Sequence, residues 1–289
     1  MRHLFAVSLA LVAGVTAGCL PDVRQPTAPL ESSLHRSREI ERDLIFIDSA
    51  IIERPANDDF CNRELWDSCN EQSIGLERAA LLEENGLRVA RISAPLPSRL
   101  QVLLNSRRNT IGPRRQRARP DQSVSVAVGP RRPKMVLSLR GSDSRDLDLT
   151  DAQAHIEVTP SLDEDRLQLR ITPQIRHGQP RARPRVEETP DGPLRWALDT
   201  REPVESLDEF TLDLPMEPGE YLLIGSRGNG PRTVGPAIFA YQGDGVPVQQ
   251  LLIIRALPVG QGNNADDVDQ RTAPLALQAG YSSARASRR

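Results

Sequence analysis

Histidines, cysteines, serines at turns and clustered carboxylates carry most protein chemistry, and in this 289-residue chain few are spaced for it. The histidines are His3, His35, His155 and His177, and no two stand at i, i+3 or i, i+4. That spacing brings two imidazoles onto one helix face to share a zinc ion, so no metal site is expected from them. His155 falls in an alternating segment, where a packed or solvent-facing ring is the expectation. Ser226 lies in Ile224-Gly225-Ser226-Arg227-Gly228-Asn229-Gly230. A nucleophile elbow or a phosphate loop would need this turn to open onto a helix, whose N-terminal N–H groups face the ligand. Here the glycines lead toward another strand, which predicts a β-turn. Asp143, Asp146, Asp148 and Asp151 form one acidic cluster and Asp163, Glu164 and Asp165 another. Neither follows the calcium-loop pattern with its glycine and terminal glutamate, so both read as solvated loop charges. A glycosidase built on paired carboxylates would grip sugar rings with aromatics, and these make up only 3 % of the chain. Trp66 and Trp196 are expected in the core or at its boundary. No cofactor, no metal and no catalytic residue are expected.

The strongest signal is at the N-terminus. Residues 1–18 carry Arg2, an apolar run from Leu4 to Val15, and the small residues Thr16, Ala17 and Gly18, the order of an export signal. The run is about twelve residues, whereas a helix needs about twenty to cross a bilayer, so a permanent transmembrane anchor is disfavoured. Val15-Thr16-Ala17-Gly18-Cys19 resembles the lipobox of bacterial lipoproteins, with threonine at 16 where leucine is commonest. The resemblance implies that the Cys19 thiol is lipidated with acyl chains such as palmitate and becomes the new N-terminus. The protein would then be held, extracytoplasmic, on a membrane of the bacterial cell envelope. Each buried methylene contributes ~0.8 kcal/mol, so several acyl chains hold a folded domain there. The alternative is a plain secretory peptide cleaved nearby, with Cys19 incidental.

Export permits disulfides, and the two remaining cysteines, Cys61 and Cys69, stand eight positions apart. A local disulfide is the expectation; two buried free thiols, or pairing to a partner, are the alternatives. A straight helix from 61 to 69 would hold the Cα atoms about 12 Å apart, beyond bridging distance, so the bond requires a break in that helix.

Net charge is -2, which does not suit a protein that coats nucleic acid. All 37 basic residues except Lys134 are arginine, which reads as codon bias. Residues 19–40, with Pro21, Pro26 and Pro29, read as a flexible tether. Residues 41–106 read as a small α/β module. It comprises a strand at 43–54 buried on both faces, a short helix from Asn62 to Asn70, and a helix capped by Ser73 and stopped at Gly86. An alternating strand from Leu87 to Ile92 and a helix carrying Leu96, Leu100, Leu103 and Leu104 complete it. Residues 107–121 read as an arginine- and proline-rich linker. That linker is either a patch for anionic lipid headgroups or another polyanion, or a solvated connector.

Residues 122–257 carry short alternating runs and read as a β-rich domain. The candidates are Ser123–Val128, Lys134–Leu139, Ala154–Thr159, Arg166–Thr172, Glu209–Leu214, Tyr221–Ile224, Ala237–Tyr241 and Val248–Arg255, with a projecting loop over 177–193. Residues 258–289 read as a disordered tail. The fold class expected is α+β, a small α/β module followed by a mainly antiparallel β-sandwich-like domain. Within it, Ala154–Ile175 reads as paired strands each ending in proline, and Glu220-Tyr221-Leu222-Leu223-Ile224-Gly225 as a later strand. Residues 150–226 resemble the β-domain of bacterial secretins. The family's preceding ring-building modules and membrane-inserting hairpins have no counterpart in the sequence, so the resemblance implies a docking fold in an envelope assembly.

The functional expectation is a lipid-anchored envelope protein, not an enzyme, with a structural or protein-interaction role. Its partners would be the membrane, through the lipid anchor, and an unidentified envelope protein, with no nucleic acid. Two alternatives are a secretin-like assembly component and an extracytoplasmic hydrolase. The latter requires a pocket that brings a serine, a histidine or a carboxylate pair within hydrogen-bond reach.

Overall fold

A computed structural model of the chain describes residues 44–141, 144–163, 166–187, 195–228, 230 and 232–258. The leader, the tether with Cys19 and the tail beyond 258 lie outside the described residues. In chain order the first elements are β1 (Ile45–Pro55), a π turn (Phe60–Glu64) running into α1 (Leu65–Asp67), and α2 (Leu76–Glu84). Next come β2 (Leu87–Ser93), α3 (Ser98–Asn105), β3 (Thr110–Ala118), β4 (Val124–Leu139), β5 (Arg145–Asp163) and β6 (Arg166–Arg176). A hairpin of β7 (Arg181–Glu187) and β8 (Arg195–Arg201) precedes β9 (Val204–Ser206) and β10 (Leu212–Met216). The chain closes with β11 (Glu220–Ser226), α4 (Val234–Phe239), β12 (Ala240–Gly243) and β13 (Val246–Pro258).

Apolar residues stand at successive positions of β1, so both its faces are buried and it lies inside its sheet. Ile45, Ile47 and Ile51 enter one core cluster, while Ala50 and Ile52 enter a second on the opposite face. The first sheet has the order β2-β11-β13-β1-β3, with β12 added on β13. The second has the order β10-β6-β5-β4, with β9 on β6. One face of the first sheet carries the π turn, α1 and α3 through Phe60, Leu65, Trp66, Leu100 and Leu104. Its other face packs on the second sheet through such residues as Val126, Ile156, Leu169 and Leu214. The result is an α+β fold in which two mainly antiparallel sheets form a sandwich, with α1 and α3 covering one side and α2 and α4 packed against the core between the sheets.

Several expectations change. No linker separates two domains at 107–121: Thr110–Ala118 is strand β3, paired with β1 from Ile45↔Ala118 to Ile52↔Thr110. Arginine side chains fit this position because β3 is an edge strand, where a charged side chain reaches water and Pro113 forfeits no ladder bond on its open side. Nor is 41–106 a module of its own, since β1 and β2 share their sheet with β13 and β11. The two strands expected at 123–128 and 134–139 form one strand, β4, with a register shift between Val128 and Arg132. Gly129, at φ 70°, permits that irregularity. Within and just beyond the expected projecting loop, Arg181–Glu187 and Arg195–Arg201 pair as antiparallel strands.

The segment read as a strand at 237–241 is mostly helix α4, whose Val234, Ala237, Ile238 and Phe239 are all buried. An apolar run this short fits a buried helical turn as well as a strand. What decides between them is the backbone approach at Gly235. A Cβ placed there would lie 1.8 Å from Gly86 O, so only glycine lets the α4 turn seat against the start of β2.

Candidate functional site

The two sheets each end in an unshared strand on the same side, β3 in one and β4 in the other, and between them lies a cleft of about 340 Å³. The far half of β4 is occupied, because Ser138 bridges Thr233 and its N–H donates to Arg232 O at 2.7 Å. The near half, Val124–Val128, pairs only with β5 among the described residues and leaves a row of backbone groups open. Ile51, Ile111 and Val126 give the cleft apolar walls, and Arg114, Gln116 and Gln153 give it polar ones.

Its inner end is built by three strands of the first sheet. Gln250 of β13, only 5 % exposed, donates from Nε2 to Glu53 Oε2 of β1 at 3.0 Å. Tyr241 of β12 donates its hydroxyl to the same carboxylate oxygen. Burial, then the Glu53 carboxylate, push the Tyr241 hydroxyl up to about 12, so it is a protonated donor at neutral pH. With its amide nitrogen committed, Gln250 presents Oε1 as a buried acceptor that has no partner. Arg132 Nη2 donates to Ala240 O at 2.8 Å, and burial lowers the pKa of this guanidinium, which faces no carboxylate among the described residues.

At the outer wall, Ser125 Oγ lies 3.0 Å from His155 Nδ1 and accepts from Arg176 Nη2 at 3.0 Å. Burial, then the neighbouring Arg176 charge, push His155 down to about 4. This serine–histidine contact is one of the arrangements a hydrolase requires. Its histidine, however, holds a proton far more weakly than a general base poised near neutral pH, and an arginine already occupies the serine oxygen. Ser125 escaped sequence reasoning, because a serine on an alternating strand differs in no local way from any solvent-facing one.

The other sequence candidates are dispersed. Cys19 lies outside the described residues. Cys61 and Cys69 do not form the expected disulfide: both are free thiols, the first buried and the second half-buried. The π turn at Phe60–Glu64 passes into α1, which ends at Asp67, so Cys69 stands beyond the helix. Cys69 Sγ instead donates to Leu65 O at 3.2 Å, and burial pushes each thiol up to about 12, far from the reactive thiolate range.

Of the first acidic cluster, Asp146, Asp148 and Asp151 stand in strand β5 rather than a loop, with Asp148 paired to Lys134 at 2.7 Å and Asp151 to Arg131 at 2.6 Å. Asp143 and, of the second cluster, Glu164 and Asp165 lie outside the described residues. Among the described residues, no group of three His, Cys, Asp or Glu side chains could hold a metal ion. Ser226 ends β11, and the chain then reaches helix α4 rather than the expected strand. Trp66 is buried, donating to Cys61 O at 2.7 Å with the Arg88 guanidinium 4.4 Å from its ring centroid. Trp196 departs from expectation: it stands on β8, which pairs only with β7 among the described residues, and is 75 % exposed.

Among the described residues no helix is long and apolar enough to cross a membrane. In comparisons with known proteins, the chain matches no family, no curated protein and no solved structure. The site therefore defines a class by geometry alone: a sandwich with an open strand edge beside a partly polar cleft.

Proposed function

We propose that this is a lipid-anchored bacterial envelope protein, acylated at Cys19, whose folded part is a protein-interaction module. The lipobox-like Val15–Cys19 supports the anchor. The observation that carries the interaction role is the Val124–Val128 edge bordering the cleft, open on that side among the described residues, since an extended segment can add to such an edge by main-chain hydrogen bonds. Mass spectrometry of the protein extracted from membranes tests the anchor: a lipidated N-terminal Cys19 is expected, and an unmodified cysteine or another start site overturns it. Gentle detergent extraction with crosslinking tests the module. A defined complex crosslinked through β4 is expected, and a lone monomer overturns it.

The contact between Ser125 and His155 favours one second reading, an extracytoplasmic hydrolase. Loss of ester hydrolysis in Ser125→Ala with unchanged stability would establish that reading over the first.

A further inference from the structure

We infer that the cleft between β3 and β4 recognises an extended peptide segment bearing an acidic side chain. The inference rests on the interaction reading above and names the partner chemistry. Its basis is an accumulation of unmet hydrogen-bonding groups at one place. Six buried side-chain atoms among the described residues have no partner, and three belong to residues in or bordering this cleft: Gln250 Oε1, Arg132 Nε and Arg176 Nε. A buried polar atom left unpaired costs about 1–3 kcal/mol, so three together mark a surface completed by something else.

The charges around the cleft specify what that is. Arg114 lines it and is exposed; Arg132 stands behind Gly129, with Nη2 3.6 Å from where a Cβ would sit; Arg176 reaches Ser125 on the wall. None of the three forms an ion pair with a carboxylate among the described residues. The lining carboxylate that faces them, Glu53, already accepts from Gln250 and Tyr241. Guanidinium forks suit carboxylates, and an anionic side chain entering here meets a net positive field. Gln250 Oε1 supplies the complementary acceptor for a donor N–H. The open backbone of Val124–Val128 fixes the form of the ligand: a chain laid beside it pairs in strand geometry and directs alternate side chains toward Arg114 across the cleft.

The test uses the membrane-extracted full chain and fluorescein-labelled octapeptides, one alternating glutamate with valine and one alternating lysine with valine. Saturable anisotropy is expected for the glutamate peptide only, weakening at least tenfold in Arg114→Glu and falling with added salt. Amide exchange at residues 124–128 should slow on binding. Equal binding of the lysine peptide, or glutamate-peptide binding unchanged in Arg114→Glu, overturns the inference, as does full competition by free glutamate. Arg114 is exposed, so the variant should keep its circular dichroism spectrum; Arg114→Lys should restore binding in part. Absence of peptide binding in a chain that still crosslinks to a partner overturns the acidic-peptide inference alone. A monomer that binds no peptide and has an unmodified Cys19 overturns the proposed function as well.

Discussion

Asp48 and Arg255 stand directly opposite each other on β1 and β13, with Arg255 Nη2 2.7 Å from Asp48 Oδ2, beneath the helical layer. Arg115, opposite Asp48 on β3, grips both carboxylate oxygens at 2.6 and 2.8 Å. Arg255 extends the row to the Tyr221 hydroxyl at 3.2 Å. Asp48 is fully buried, so it holds two arginines in place across three strands.

Asp48→Ala should therefore cost about 3–5 kcal/mol, because it strands two guanidiniums without a counter-charge. The triple variant Asp48→Leu, Arg115→Met, Arg255→Met should recover most of that loss, since the desolvation cost of the charges disappears with them. Urea denaturation of the three proteins checks both; a single variant as stable as the parent contradicts the role given to Asp48.

His155 gives a pH dependence of definite sign. Its pKa is pushed down to about 4 in the fold from an ordinary value of 6.5, so the unfolded chain binds the proton more readily. The stabilisation is complete above about 6.5 and is lost as pH falls toward 4, amounting to at most roughly 3 kcal/mol. His155→Gln should flatten the unfolding midpoint between those values, a change visible in thermal melts across the pH series.

Cys61 and Cys69 should behave as two masked thiols. With both pushed up to about 12, neither should react appreciably with a thiol reagent at pH 8 in the native protein. Two equivalents should appear in denaturant without reductant. A count of zero would mean that the pair had been oxidised.

Gly235→Ala should destabilise by about 3 kcal/mol or more, because the added methyl meets the Gly86 carbonyl backbone rather than a movable side chain. Gly228→Ala, where nothing lies within 4 Å, is the matching control and should leave the denaturation midpoint near that of the parent.

The two tryptophans should separate in fluorescence. Trp66 is 4 % exposed and Trp196 is 75 % exposed. Acrylamide should quench one emission component and spare the other, and Trp196→Phe should remove the quenched component with little change in stability.

The extent to which the sequence disclosed this architecture follows the range of the forces involved. β1, β2, α2 and α3 were legible because alternation, helical spacing and Gly86 are local signals, although α2 starts after Gly75 rather than from the expected Ser73 cap. The arginine run at 107–121 misled because an edge strand exposes one side and tolerates charge, so its residues look like a connector. Ala237–Tyr241 misled because a backbone contact with Gly86, about 150 positions earlier, decides its conformation. The cleft was invisible for the same reason: Glu53, Arg114, Ser125, Tyr241 and Gln250 are each unremarkable in their own neighbourhoods, and only the sheet order assembles them.

Strand β13 also has a kinetic meaning. Eleven of its residues pair with β1, and it fills the place between β1 and β11, so the middle strand of the first sheet is the last of that sheet's strands in chain order. Until residues 246–258 arrive, β1 can pair only with β3, and loop closure across nearly the whole domain must precede the reward from β1–β13 pairing. The pairing that joins β1 to β11 through β13 is therefore the late step in assembling this sheet.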